Sequence, residues 1–426
     1  MRSSPSVRGS VRRRLLAATG AALVVVPTIA ACGSEDGTQI NVYYAPEENF
    51  QQVIDRCNEE ANGEYEIVYR KLPRDADGQR EQMVRRLAAG DTDLDILGLD
   101  VTWVPEFAEA KWLEEWTGEN KSAAEEGVLE GPLATAQWND KLYAATKNTN
   151  VQLLWYDKTV TPRPPETWRD MIDMAKELKA DGKPYEILFT GAQYEGLVVT
   201  YNTLVASAGG KILSDDGKSV VMDEGAIEAL EILQEVASSG ITNPSLTNSQ
   251  EQQVEQAFSS AGSTSAFELN WPYVYSAMRD SGSARFENLD WTRYPGIDGP
   301  SKVTIGGYNL AVSAYSERKP EAFEAALCLR NEESQRFSAL NDGVPPTIES
   351  IYDGSDQEFV DTYPMWEVIQ EELQDPAVRP LTVVYQNLST ITAKVLSPPA
   401  DIDPQATAAE LREGLQKALE SKGVLP

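Results

Sequence analysis

From Thr38 to Leu99 the sequence alternates between two periods, and that order limits the architecture severely. Thr38 to Tyr44 alternates with Ile40, Val42 and Tyr44 on one face, as a strand does. A loop, Ala45-Pro46-Glu47-Glu48-Asn49, leads into helical spacing from about Phe50 to Asn62. Tyr65 to Leu72 reads as a second strand. Arg80 to Ala89 reads as a helix with Met83 and Leu87 inward, and Leu94 to Leu99 as a third strand ending at Asp100. Strands separated by helices pair in parallel, so the expected class is α/β with a parallel sheet. In open sheets of this kind ligands bind outside the carboxyl ends of strands. Glu47, Glu48 and Asp100 stand at two such ends.

One core supports roughly 250–300 residues. The 426-residue chain exceeds that even without its first 31 residues, so two lobes are expected. Lys147-Asn148-Thr149-Asn150 runs into the apolar strand Val151 to Tyr156, and a lobe boundary is placed there. Thr167, with Asp170 three residues on, opens a helix to about Ala180. Helices follow at Leu197 to Ala208, Asp223 to Ser239 and Gln250 to Phe258. Lys302 to Val312, with Gly306-Gly307 inside it, reads as a return to the first lobe; glycines in a strand permit close approach of backbone to a ligand. Pro320 to Leu329 is a helix, Gly343 to Thr347 a second crossing, and the last third is helical: Phe359 to Leu373, Tyr385 to Leu396 and Pro404 to Leu419. The expected partition is residues 1–31 leader, 32–38 tether, 39–149 with 303–345 as lobe 1, and 150–302 with 346–426 as lobe 2.

The leader has a basic start (Arg2, Arg8, Arg12, Arg13, Arg14) and an apolar run from Leu15 to Ala31, as signal peptides do. It ends in Ile29-Ala30-Ala31-Cys32, a pattern that resembles a bacterial lipobox. Cleavage before Cys32 and a lipid anchor on its thiol are expected. Cys57 and Cys328 remain; both fall on expected helices of lobe 1, and an exported compartment permits their disulfide. Two free thiols are the alternative. Five of the 37 basic residues lie in the leader and none of the 67 acids does, so the mature chain is more acidic than the formal −30 of the whole. That weighs against nucleic acid and anionic membrane surfaces, which need basic patches. No histidine occurs, which removes Ser-His and Cys-His catalysis and the commonest metal ligand.

Phe267-Glu268-Leu269-Asn270-Trp271-Pro272-Tyr273 joins two amphipathic aromatics to a carboxylate and an amide. Such rings present a flat apolar face with a polar edge, the complement of a sugar ring. Aromatics are also common core residues, and the stretch alone leaves that reading open.

The ordered set resembles the solute-binding lipoproteins of bacterial ABC sugar importers. It comprises the lipobox, Asn150 to Tyr156, Pro165-Glu166-Thr167-Trp168, Tyr194-Glu195-Gly196-Leu197, Ala208-Gly209-Gly210, Asn270-Trp271-Pro272-Tyr273 and Gly306-Gly307. Within that family it is most similar to the trehalose/maltose-binding branch, including actinobacterial trehalose-recycling lipoproteins. The resemblance implies a two-lobed periplasmic-binding-protein-like fold with hinge strands and a ligand cleft between the lobes. It implies capture of an α-linked glucose disaccharide, trehalose before maltose, by hinge closure and delivery to a membrane ABC permease. Glu48 and Asp100 would accept hydroxyl hydrogen bonds, Asn150 would act at the hinge, Trp271 and Tyr273 would stack on the sugar rings, Gly306 and Gly307 would offer backbone N–H groups, and Arg379 would bridge hydroxyls. Tyr194, Glu195, Glu251 and Glu268 are further candidates. The expected protein is a monomer, anchored on the extracytoplasmic face of the cell membrane, with no cofactor, no metal and no catalytic residue. Competing readings are another oligosaccharide or a glycerophosphodiester as ligand, or a glycoside hydrolase using paired carboxylates.

Overall fold

The computed structural model describes residues 38–161, 163–214 and 217–421. The expected leader, the lipidation site Cys32 and most of the tether lie outside them.

Two sheets organise these residues, each with its own hydrophobic cluster. The first has five strands in the order Tyr65–Lys71, Thr38–Tyr44, Ile96–Asp100, Gly306–Val312 and Ala145–Asn150. The first three run parallel, as the alternating order requires, while Gly306–Val312 returns antiparallel to both its neighbours. The second has four strands in the order Leu289–Thr292, Leu153–Asp157, Ser265–Asn270 and Glu186–Leu188. Ile40, Phe50, Leu99, Trp116 and Leu310 pack in one cluster; Leu153, Trp155, Trp168, Tyr201 and Phe267 pack in the other. The architecture is the expected two-lobed α/β fold.

Local chemistry accounts for most elements. The helix Phe50–Glu60 buries Phe50, Val53, Ile54 and Cys57, the spacing of one helical face. Cys57 is disulfide-bonded to Cys328 of the helix Lys319–Arg330, with Cα atoms 5.9 Å apart. Thr167 caps Trp168–Ala180 by accepting the Asp170 N–H at 3.1 Å, and Asp223 caps Glu224–Ser238 through Ala226. Among the described residues, no helix is long and apolar enough to cross a membrane.

Three expectations change. The helix expected from Phe359 to Leu373 is two, Gln357–Thr362 and Trp366–Glu372. Pro364 disfavours helical backbone in Tyr363 and lacks the N–H needed to continue. The helix expected from Arg80 begins at Ala76, because Asp75 accepts the Gly78 N–H at 2.7 Å and caps it a turn early. Val303 and Ile305, expected in lobe 1, pack with the second cluster, as do Ala339 and Leu340. Thr304 bridges Ala377 and bonds the side chains of Asn202 and Thr203.

Candidate functional site

The carboxyl end of Ile96–Asp100 sets the first anchor. Asp100 Oδ1 accepts the Thr102 N–H at 3.0 Å and its hydroxyl at 2.7 Å, which fixes the carboxylate at the strand end. Opposite it in the antiparallel register stands Tyr308, whose hydroxyl donates to Gln79 at 3.0 Å.

Arg379 reaches this carboxylate from a loop before the helix Tyr385–Leu396. One guanidinium nitrogen lies 3.3 Å from Asp100 Oδ1 and the other 2.6 Å from Glu195 Oε1, with side-chain exposures of 3 %, 15 % and 12 % for Arg379, Asp100 and Glu195. Glu195 opens the helix Glu195–Ser207 and also accepts the hydroxyls of Tyr385 and Ser389. Burial disfavours the Arg379 charge, but Asp100, Tyr385 and Glu195 outweigh it and hold its pKa above the ordinary value. Burial pushes Glu195 up against the pull of Arg379 and of its hydroxyl donors. The Arg379 Nε is buried with no partner, an unused donor inside a charged cluster.

The other side comes from the turn after Ser265–Asn270. Trp271 is half-buried, and its ring edge packs against the first sheet: a Cβ on Gly306 would stand 3.1 Å from the ring and 3.3 Å from Asn150 Cβ. Gly307 has φ 123°, and a Cβ there would strike the Asn148 carbonyl, so this strand needs its glycines. Asn150 pairs with Gly306 at the end of Ala145–Asn150, and its Oδ1 is buried with no partner. Burial pushes Glu251 up, opposed by the Tyr194 hydroxyl and the Trp271 indole, which face it. The Tyr194 hydroxyl aims at that carboxylate without completing a hydrogen bond. The charges of Asp100, Glu251 and Arg379 all act on Tyr308, which ties the two sides into one constellation.

The structure therefore brings together Asp100, Asn150, Tyr194, Glu195, Glu251, Trp271, Gly306 and Arg379. Tyr273 turns its hydroxyl toward Asn270, 3.4 Å away, and lies among buried acids. Glu268 is wholly buried in its strand. Glu48 is exposed; the buried acid of that loop is Glu47, 2.6 Å from the Lys147 ammonium. Tyr308, Tyr385 and Ser389 went unremarked in the sequence. They lie on regular elements with nothing local to mark them, and only the meeting of distant segments does so.

The family model for bacterial extracellular solute-binding proteins matches residues 44–336. A "probable ABC transporter-binding protein" of Deinococcus radiodurans is 26 % identical over 325 residues, covering 74 % of this chain and 76 % of its own length. Among solved structures, maltose-bound T. maritima MalE3 superposes with a TM-score of 0.81 at 23 % identity, covering 89 % of this chain and 100 % of its own. The GacH receptor of Streptomyces glaucescens, solved unliganded and with acarbose and an acarbose homolog, gives 0.79 at 18 %, covering 90 % and 99 %. With a match spanning well over half of its length, the chain belongs to the family of bacterial extracellular solute-binding proteins.

Proposed function

We propose that the chain captures an α-linked glucose disaccharide, trehalose before maltose, in the cleft between its lobes and delivers it to an ABC permease. The observation that carries this is the meeting of Trp271 with Gly306 and Asn150, beside the Arg379 pair with Asp100. An aromatic platform, an amide with an unused acceptor and a guanidinium with an unused donor suit a neutral polyol. Charge-assisted bonds to hydroxyls are strong in such a setting. The residues come from both lobes, so a ligand touching all of them favours the closed form by differential affinity. MalE3 with maltose and GacH with acarbose support an α-glucoside as the ligand class.

The partition of lobes, with the return crossing moved to about Gly306, belongs to the same proposal. So do a Cys32 lipid anchor, a monomeric state and an extracytoplasmic position at the membrane. Tyr194, Glu251 and the Gly307 backbone are further contacts, and Glu48, exposed in its loop, is kept as a contact. The role is binding rather than hydrolysis.

Thermal unfolding with trehalose, maltose, sucrose and glycerophosphocholine in parallel tests the ligand. A ligand of the folded form stabilises by about 2.7 kcal/mol at a hundredfold excess over its dissociation constant. The expected order of shifts is trehalose, then maltose. A shift with glycerophosphocholine alone would overturn the choice of a disaccharide. Trp271→Ala is expected to weaken disaccharide binding by about 2 kcal/mol, as truncating a buried aromatic anchor does. Calorimetry showing equal affinity would remove Trp271 from the site.

A further inference from the structure

Beneath Trp271 lies an acid that none of these contacts uses. Glu268 sits in the middle of the second sheet, opposite Trp155 on one side and Leu188 on the other, at 0 % exposure. Its Oε1 accepts from Asn270 Nδ2 at 2.8 Å, and its Oε2 is buried with no partner. Positions two apart on a strand share a face, which is why the two side chains meet.

Asn270, also at 0 % exposure, is a junction. Its Nδ2 reaches the Glu251 carbonyl at 3.0 Å, and its Oδ1 accepts the Trp271 N–H at 2.9 Å. One amide thus fixes both the turn that carries Trp271 and the start of the helix that carries Glu251. Its orientation depends on Nδ2 having acceptors on the Glu268 side.

We propose that Glu268 is a positioning residue for Trp271 and Glu251, acting through Asn270, so that a change in the charge of Glu268 is transmitted to the ligand platform. This rests on Trp271 being the ligand platform.

The surroundings disfavour an ionised Glu268. From the helix Glu251–Ser259 it faces Glu255, a like charge; from Tyr273–Asp280 the Tyr273 hydroxyl lies near. Arg285 is the nearby cation, but its guanidinium is directed at Asp157 (3.2 Å), the Phe258 and Ser265 carbonyls and the Ser265 hydroxyl. Burial pushes Glu268 up to about 8; the Asn270 bond opposes this, Glu255 adds to it and Arg285 opposes it. The chain has no histidine to obscure that window. Asp342, raised to about 7, belongs to a different cluster, with Glu47 and Lys147.

The test reads Trp271 directly. In the full chain labelled with fluorotryptophan, the Trp271 resonance is assigned by its loss in Trp271→Phe and followed by fluorine NMR from about pH 6 to pH 10. A shift with a midpoint near 8 is expected, absent in Glu268→Gln and moved to lower pH in Glu255→Gln. Glu255 is only partly buried, so its variant keeps the test alive should Glu268→Gln fail to fold. A Trp271 resonance that does not titrate, or titrates unchanged in both variants, would overturn the proposal.

Calorimetry with trehalose and maltose adds the ligand arm. If only the uncharged form binds, affinity falls about tenfold from pH 7 to pH 9 in the wild type, because the competent fraction falls by that factor. In Glu268→Gln it stays flat. A titrating resonance with no sugar bound would sink the disaccharide reading and leave the positioning relation standing. Sugar binding that is flat with pH, with a silent resonance, would do the reverse.

Discussion

Two buried clusters in this protein each set one cation between two acids, and they differ in what the cation has left to give. Lys147, at 1 % side-chain exposure, donates to both oxygens of Glu47 at 2.6 Å and reaches the Ser338 hydroxyl at 3.3 Å. An ammonium has three donors, and all three are used. Its charge also lies 5.1 Å and 5.0 Å from the centres of the Tyr44 and Phe50 rings. The second acid, Asp342, accepts the Asn49 N–H and amide through Oδ1 at 3.1 Å and 2.9 Å, and its Oδ2 is buried with no partner. Arg379 has five donors, bonds Asp100 and Glu195, and keeps Nε buried and unpaired. A saturated cation staples the loop Ala45–Asn49 to the crossing segments. The Arg379 cation keeps a donor to give.

The largest effect that would test this contrast is on stability. Lys147→Met leaves Glu47 and Asp342 buried without their cation and is expected to cost about 3–5 kcal/mol. Urea unfolding reads it, and a loss below about 1 kcal/mol would mean the cluster is not a staple. Next is Arg379→Lys, which keeps the charge but not the planar fork. Disaccharide affinity is expected to fall by about 2 kcal/mol, the scale of a lost charge-assisted contact. Unchanged calorimetric affinity would place Arg379 with the staples.

The smallest effect per step, though spread over about three pH units, is the pH dependence of Asp342. Burial and then the Glu47 charge raise it from 3.8 to about 7, so the folded chain keeps a proton that the unfolded chain releases. Stability from this group is complete below about pH 4, falls as pH rises toward 7 and is level above, with a slope on the order of 1 kcal/mol per pH unit. Asp342→Asn is expected to flatten that stretch of the stability profile. A profile identical to wild type would show that Asp342 ionises normally.

The two clusters also differ in how far they could be read from residues in order. Asp100 was legible because a strand of apolar residues must end somewhere, and ligands gather at such ends in α/β sheets. Trp271 was legible as an amphipathic ring in a turn rather than inside a helix. Thr167 announced its helix by the chemistry of its side chain. By contrast, Glu47 and Glu48 sit in a loop, which has no period to say which side chain turns inward. The sequence expectation favoured Glu48, whereas the structure buries Glu47 against Lys147. Local signals also missed the helix Glu332–Asp342, although Asn331 caps it by accepting the Ser334 N–H at 2.8 Å and Gly343 ends it at φ 68°.

Strand and helix periods, caps, proline breaks and the need for two cores all follow from side chains a few residues apart. Residues alone therefore determine the α/β class and the two lobes of this chain. Tertiary structure decides which charges are saturated and which are open. Arg379 meets Glu195 and Asp100 across 184 and 279 residues of chain, and Glu268 becomes an isolated acid only once Arg285 is engaged with Asp157. Hydrogen-bond satisfaction and desolvation depend on every atom packed around a group, and no local pattern encodes that.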